Sequence, residues 1–152
     1  MPRLASSSVG SYPPLVTFAV EKLEAAIAKG PRAHFVALFG SAAKGGMRVD
    51  SDIDIAWLPL DANLPLSMEL DFQSALTLAA GREVDLVRVD QASTLFRSEV
   101  ARSGIQLAGE RASFVRFRAE AIAEFLDFEP ALREATERYL RAVRNGALPP
   151  RT

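Results

Sequence analysis

An α/β fold of the α+β kind, with a small mixed sheet flanked by helices and followed by a C-terminal helical tail, is predicted by three features of the chain. Two apolar stretches, Phe35-Val36-Ala37-Leu38-Phe39 and Asp52-Ile53-Asp54-Ile55-Ala56-Trp57-Leu58, read as strands. The return between them, through Gly45 and Gly46, is short for a parallel crossover, so the sheet is expected to be mixed. A helix-length interval, 64–80, then leads to the alternating segment Arg82-Glu83-Val84-Asp85-Leu86-Val87-Arg88-Val89, which reads as a third strand reached by a crossover helix.

The remaining elements follow in order. After a flexible start over 1–13, Pro13 and Pro14 open a helix, because proline suits a first turn whose N–H has no partner in any case. Leu15, Phe18, Ala19, Leu23, Ala26 and Ile27 keep helical spacing, and Gly30-Pro31 ends the run. The 64–80 stretch, with Leu66, Leu70, Ala75, Leu76 and Leu78, reads as the crossover helix between the Asp52 strand and the Asp85 strand. A further helix over 91–103 stops at Gly104, and Ile105-Gln106-Leu107-Ala108 suits a short edge strand. The tail, 111–144, is read as helical with a break at Glu129-Pro130, since an interior proline loses a backbone bond and clashes with the preceding turn. Its stripe of Phe114, Phe117, Ala121, Phe125 and Phe128 is expected to pack on the sheet, with docking of a partner as the sharper alternative. Arg116, Arg118, Arg133, Arg138, Arg141 and Arg144 read as a solvated face balanced by Glu120, Glu124, Glu134 and Glu137. The organisation is thus a nucleus over 14–110, a helical segment over 111–145 packed on it, and a flexible tail over 146–152.

Composition narrows the class. The chain has 152 residues, enough for one domain, and 49% apolar residues support a core. Its formal net charge of −1 argues against a general nucleic-acid binder, which carries a basic balance. No run is long and apolar enough for a membrane span, and the start Met1-Pro2-Arg3-Leu4-Ala5-Ser6-Ser7-Ser8 has no secretory core. Cysteine is absent, which removes disulfides and thiolate metal sites and is compatible with a reducing cytoplasm.

The chemistry is concentrated in residues 40–54. Side chains two apart on a strand share a face, so Asp52 and Asp54 project together while Ile53 and Ile55 turn to a core. Crowded carboxylates repel, and a hard divalent ion relieves them; Mg²⁺ is commonly held by one or two carboxylates together with substrate phosphates. Gly40 lets the main chain approach a phosphate, and Ser41 is read as the cap of a short helix through Ala42, Ala43 and Lys44, whose first N–H groups suit an anion. Phosphate donors therefore stand opposite metal ligands. His34 and Trp57 are read as structural, the first exposed or structural ahead of its strand and the second in the core.

Gly40-Ser41 followed by Asp52-Ile53-Asp54 resembles the signature of the polymerase-β-like nucleotidyltransferases. The longer match, Phe39-Gly40-Ser41-Ala42-Ala43-Lys44-Gly45 with Asp50-Ser51-Asp52-Ile53-Asp54-Ile55, is most similar to their minimal nucleotidyltransferase branch. In that branch an arginine often stands where Lys44 is; lysine keeps the charge and loses the bidentate fork. The resemblance implies a third carboxylate on the next strand, for which Asp85 is favoured and Glu83 is the rival on the same face. It implies transfer of a nucleoside monophosphate from a triphosphate to a hydroxyl, with two Mg²⁺ ions on Asp52, Asp54 and Asp85 and the triphosphate on Gly40, Ser41 and Lys44.

With Gly104-Ile105-Gln106-Leu107 and a helical tail, residues 30–130 also resemble the antitoxins of bacterial toxin pairs. That likeness implies ATP as donor, and as acceptor a tyrosine hydroxyl of a cognate HEPN-type ribonuclease toxin. Two other readings stay open: a transferase acting on a small hydroxylated molecule such as an aminoglycoside, and a non-catalytic subunit that neutralises a partner by contact alone.

Overall fold

A computed structural model describes residues 14–45 and 52–147. The expected flexible start, Gly46 of the return and residues 148–152 of the tail lie outside the described residues.

Helix α1 (Pro14–Lys29) leads to strand β1 (Ala33–Phe39), the short helix α2 (Ser41–Lys44) and strand β2 (Ile53–Pro59). Helix α3 (Leu66–Ala80), strand β3 (Val84–Arg88), a 3₁₀ turn over Val89–Gln91, helix α4 (Thr94–Ser103), strand β4 (Ile105–Gly109) and helix α5 (Arg111–Arg144) follow. The strands lie in the order β3-β2-β1-β4. β1 runs antiparallel to both β2 and β4, whereas β2 and β3 are parallel and joined by α3. The sheet is mixed, as the short return and the crossover helix together predict.

Both faces are covered, because β1 and β2 are apolar on both sides. On one face Val36, Leu38, Ile53, Ile55, Trp57 and Val84 meet Leu23 and Ile27 of α1 and Phe72 and Leu76 of α3. Trp57 is fully buried with its ring 4.9 Å from Phe72, a core residue as its place in the strand suggests. On the other face Phe35, Ala37, Phe39 and Ala56 pack against Val100 and Ala101 of α4 and Phe114, Phe117 and Ala121 of α5. Phe35 sits between Phe114 and Phe117, with ring centroids 5.1 and 5.0 Å away.

The end of β3 is tied down by one buried guanidinium. Arg88 donates to Glu69 at 2.7 Å, to Asp90 at 2.7 Å and to the Ala62 carbonyl at 3.0 Å. A buried charge persists when it is paired and hydrogen-bonded in this way. Hydrogen bonding to Arg88 in turn holds Asp90 below the ordinary carboxylate range. The network ties β3 to the loop before α3 and to its first turn, and so helps set the register of β3 on β2.

Several sequence expectations are corrected. α3 begins at Leu66 rather than Leu64; it turns Phe72 and Leu76 inward, and Leu66, Leu70 and Leu78 are exposed. His34 lies within β1 rather than ahead of it; its side chain is exposed and its carbonyl accepts from Glu110 N at 2.9 Å. The helix expected over 91–103 begins at Thr94, where Ser93 caps the Phe96 N–H at 3.2 Å.

In α5 there is no break at Pro130: the helix runs on to Arg144. Proline removes one i→i−4 bond, and an exposed helix absorbs that loss locally. Of the four phenylalanines, Phe114 and Phe117 are buried, Phe125 is half-buried beneath Arg102, and Phe128 is exposed. The helix is simply longer than the sheet it covers. Arg118 is no mere solvated residue either, since its Nε donates to the Ala101 carbonyl at 2.9 Å and so fastens α5 to α4.

Candidate active site

The acids and the glycine turn meet at one end of the sheet. β1 delivers Gly40 at its C-terminal end, and the antiparallel β2 returns with Asp52 just before its first residue and Asp54 as its second. Phe39 pairs with Asp54 across β1 and β2, and Asp54 pairs with Asp85 across β2 and β3. Side chains in register on neighbouring strands share a face. Asp54 and Asp85 are therefore flanking neighbours on the α4 side of the sheet. Glu83, the rival third acid, lies before β3 and lines a shallow groove with Gln73, Ser74 and Thr77 of α3.

The electrostatics agree with the geometry. Partial burial, then the charges of Asp85 and Asp52, push the Asp54 carboxyl above its ordinary range. Two like charges that each raise the third are within effective Coulomb range of it.

Gly40 adopts φ 71° and ψ −150°, a conformation open essentially to glycine alone. A Cβ there would stand 2.3 Å from Asp54 Oδ2. The turn is thus shaped so that main chain and carboxylate approach each other directly. Ser41 does not cap α2 as expected from the sequence. Gly40 is the N-cap, with no side-chain cap bond, and Ser41 is the first helical residue. Glycine takes the cap because the backbone angles there exclude serine. The first bond of α2 runs from Lys44 N to the Gly40 carbonyl at 3.2 Å, which leaves the Ser41, Ala42 and Ala43 amides without intrahelical acceptors. Gly45 then ends the helix in the left-handed conformation at φ 76°.

Lys44 lies beyond this turn and pairs with Glu99 of α4 at 2.8 Å. That hydrogen bond is the main reason the Glu99 carboxyl falls below its ordinary range. Beneath the turn, Phe39 meets Phe96 of α4 edge-on, with centroids 5.0 Å apart. Glu99 and Arg88 carry little local sequence signal, because Lys44 for the first, and Glu69 and the Ala62 carbonyl for the second, are distant in the chain and meet them only once the layers are packed.

A groove of about 770 Å³ opens between α1 and α3, lined by Lys22, Lys29, Met68, Phe72 and Leu78, on the opposite face of the sheet.

A mixed sheet presenting a glycine–serine turn beside in-register carboxylates at one end is the frame of a nucleotidyltransferase. Residues 21–112 match the family model for polymerase beta nucleotidyltransferases. The chain belongs to that family, and it is a nucleotidyltransferase of the minimal branch.

Among its relatives is the protein adenylyltransferase MntA of Shewanella oneidensis, 33% identical over 95 residues that make up 62% of this chain and 68% of that protein. Among solved structures, a toxin–antitoxin complex with AMP-PNP superposes with a TM-score of 0.71 at 26% identity, over 80% of this chain and 98% of that one. A tri-AMPylated Shewanella oneidensis HEPN toxin in complex with its MNT antitoxin gives a TM-score of 0.67 at 24% identity, over 81% of this chain and 97% of the other, and attests the fold. Among the described residues no helix is long and apolar enough to cross a membrane.

Proposed function

We propose that the chain is a cytoplasmic, Mg²⁺-dependent protein adenylyltransferase antitoxin that transfers AMP from ATP to a tyrosine hydroxyl of a cognate HEPN ribonuclease toxin. The observation that carries this reading is the in-register pair Asp54 and Asp85, with Asp54 set directly against Gly40. The likeness to a protein adenylyltransferase, and to an antitoxin that has been crystallised with a nucleotide analogue, supports ATP as donor and a toxin as acceptor. The nucleotidyltransferase domain spans 14–110, and the helical segment over 111–145 is held on it through Phe114, Phe117, Ala121 and Arg118.

Mg²⁺ fits the donor set. Asp52, Asp54 and Asp85 offer only oxygen, and the mutual repulsion that raises Asp54 is what a divalent cation relieves. Among the described residues no three ligands are gathered closely enough to share an ion. Asp52 and Asp85 are exposed, so their side chains have room to converge on one. When bound, the metal supplies charge neutralisation on the phosphates and a more acidic acceptor hydroxyl.

The chain's own groups do the rest. The Ser41 hydroxyl and the free amides of the first turn of α2 hold the outer phosphates, and Gly40 keeps that approach clear. The acceptor oxygen bonds to the α-phosphorus while the bond from that phosphorus to the bridging oxygen breaks. Pyrophosphate leaves with the electron pair, and the hydroxyl proton passes to Asp85. Near-contact charge stabilisation and positioning of this kind supply most of the rate in phosphoryl transfer.

The test takes the product of the neighbouring reading frame, expected to be a small helical protein with an Arg/His ribonuclease motif, and incubates it with the chain, Mg²⁺ and α-labelled ATP, followed by mass spectrometry. AMP on a tyrosine of that protein is expected. An unmodified partner under conditions where the enzyme labels another acceptor, such as an aminoglycoside, would overturn the reading.

Lys44 is assigned to the phosphates, with Glu99 as its resting partner. Lys44→Ala is expected to raise the KM for ATP about 3- to 10-fold with kcat little changed, the behaviour of a group that binds ground and transition states alike. Glu99→Gln is expected to lower the KM by releasing Lys44, while Tm moves by no more than about 2 °C, because exposed ion pairs add little stability. Steady-state kinetics in ATP checks both.

A further inference from the structure

The apolar stripe of α5 does not end where the domain ends. Phe114, Phe117 and Ala121 are buried on it, and Phe125, Phe128, Leu132, Tyr139 and Val143 continue the same face at helical spacing. Phe125 is still covered, by the Arg102 guanidinium of α4 4.4 Å above its ring, and Leu132 is half-buried. Beyond Phe125, Phe128 is 40% and Tyr139 53% exposed. The ion pairs there, Glu129 with Arg133 and Glu134 with Arg138, stay within α5. From Phe125 to Val143 the stripe runs about 27 Å at the helical rise. It also lies outside the stretch that matches the nucleotidyltransferase family, which stops at residue 112.

Charge along this stretch is divided. Between residues 120 and 137 stand six acids, Glu120, Glu124, Asp127, Glu129, Glu134 and Glu137, against the single Arg133. From 138 to 144 stand Arg138, Arg141 and Arg144 and no acid. Two such helices side by side in parallel would set acid against acid and base against base. Laid antiparallel about the middle of the stripe, near residue 134, each sets Arg138, Arg141 and Arg144 alongside Glu129, Asp127 and Glu124 of the other. The same alignment brings Phe125 opposite Val143 and Phe128 opposite Tyr139 and Leu140. A surface that complements itself under a two-fold rotation is what an isologous contact requires, and opposite charges at its ends select the orientation.

We propose that the distal half of α5 is a self-association surface, on which two copies of this chain pair antiparallel and carry their catalytic domains at opposite ends. The pairing is independent of which acceptor the enzyme uses. One helix from each copy makes a contact at the small end of specific interfaces, so the dimer is a weak one that forms with rising concentration.

Sedimentation equilibrium of the full chain at low salt, over about a hundredfold range of concentration, is expected to show the mass rising from one chain to two. Phe128→Glu with Leu132→Glu should hold it at one chain throughout, with ATP binding unchanged. An acid-tailed variant (Arg138→Glu, Arg141→Glu, Arg144→Glu) and a base-headed variant (Asp127→Lys, Glu129→Lys) should each self-associate at least about tenfold more weakly than the parent. An equimolar mixture of the two should recover a mixed pair.

Three results would each overturn the proposal. One is a single chain at every concentration, including the case where the Phe128 and Leu132 changes abolish only capture of a toxin. Another is a dimer that those changes leave intact. The third is charge variants that pair with themselves as well as the parent does.

Discussion

Asp54→Asn, alone or together with Asp52→Asn, is expected to lower label transfer from α-labelled ATP by about a thousandfold or more, as loss of a preorganised charge at a reacting phosphate does. The same change is expected to leave the fold intact and to raise Tm by about 2 °C in metal-free buffer. The reason is the crowding at the end of β2. Partial burial and the charges of Asp85 and Asp52 lift the Asp54 carboxyl above its ordinary value. A carboxyl whose folded value is raised binds its proton more tightly in the folded state, so its contribution to stability is complete below the unfolded value and is lost as pH climbs through the folded one. At neutral pH the ionised Asp54 is a net cost to the metal-free protein, and asparagine removes it. The parent should therefore lose Tm relative to the variant as pH rises from about 4 towards 7, with the gap closing at the acid end. Thermal melts across that range, beside the transfer assay, separate a catalytic carboxylate from a structural one. A variant that melts lower than the parent at neutral pH, or that retains full transfer, would remove Asp54 from the centre of the site.

Gly40→Ala carries the second large effect. A Cβ at that position would lie 2.3 Å from Asp54 Oδ2, and its backbone, at φ 71° and ψ −150°, is one that an L-residue occupies only under strain. The expected cost is about 1–3 kcal/mol of stability. Transfer is expected to fall at least about a hundredfold, because a displacement of about 1 Å in a reacting group has that effect. Gly45→Ala is the control. Its glycine is also left-handed, at φ 76° and ψ 6°, but that region tolerates a side chain at a cost of about 1 kcal/mol. Equal losses of transfer in the two variants would mean that general weakening of the turn, rather than contact with Asp54, is what Gly40 prevents. Circular-dichroism melts and single-turnover labelling measure the two quantities.

Much of this was legible before any coordinates. The strand over Phe35–Phe39 is written as a continuous apolar run and the one around Asp54 as acids alternating with Ile53 and Ile55, and the period of two along a strand places Asp52 and Asp54 on one face. The parallel pairing of β2 with β3 follows from the helix-length interval between them, and the antiparallel pairing of β1 with β2 from the short return. The rivalry between Asp85 and Glu83 could not be settled in the same way, since residues two apart share a face. Only the register, which sets Asp85 beside Asp54, distinguishes them.

Local chemistry was read less well where two local rules compete. Ser41 is an ordinary helix cap by composition, yet the cap angles belong to Gly40 because Asp54 leaves no room for a side chain. Pro130 is an ordinary helix breaker, yet α5 continues through it, since one lost bond in an exposed helix is a smaller cost than unwinding its neighbours.

By itself, then, the sequence determines the element order, the mixed sheet, the glycine–serine turn and the shared face of its two acids, all of which depend on residues close together in the chain. Tertiary structure alone decides the company those groups keep. It sets Asp85 against Asp54, Glu99 against Lys44 and Arg88 against Glu69. It also leaves the outer half of the phenylalanine stripe without a sheet to cover. The division has a physical origin. Periodicity records which way a side chain points, whereas a pairing across 19 to 55 residues of chain forms only when separate layers are brought into contact.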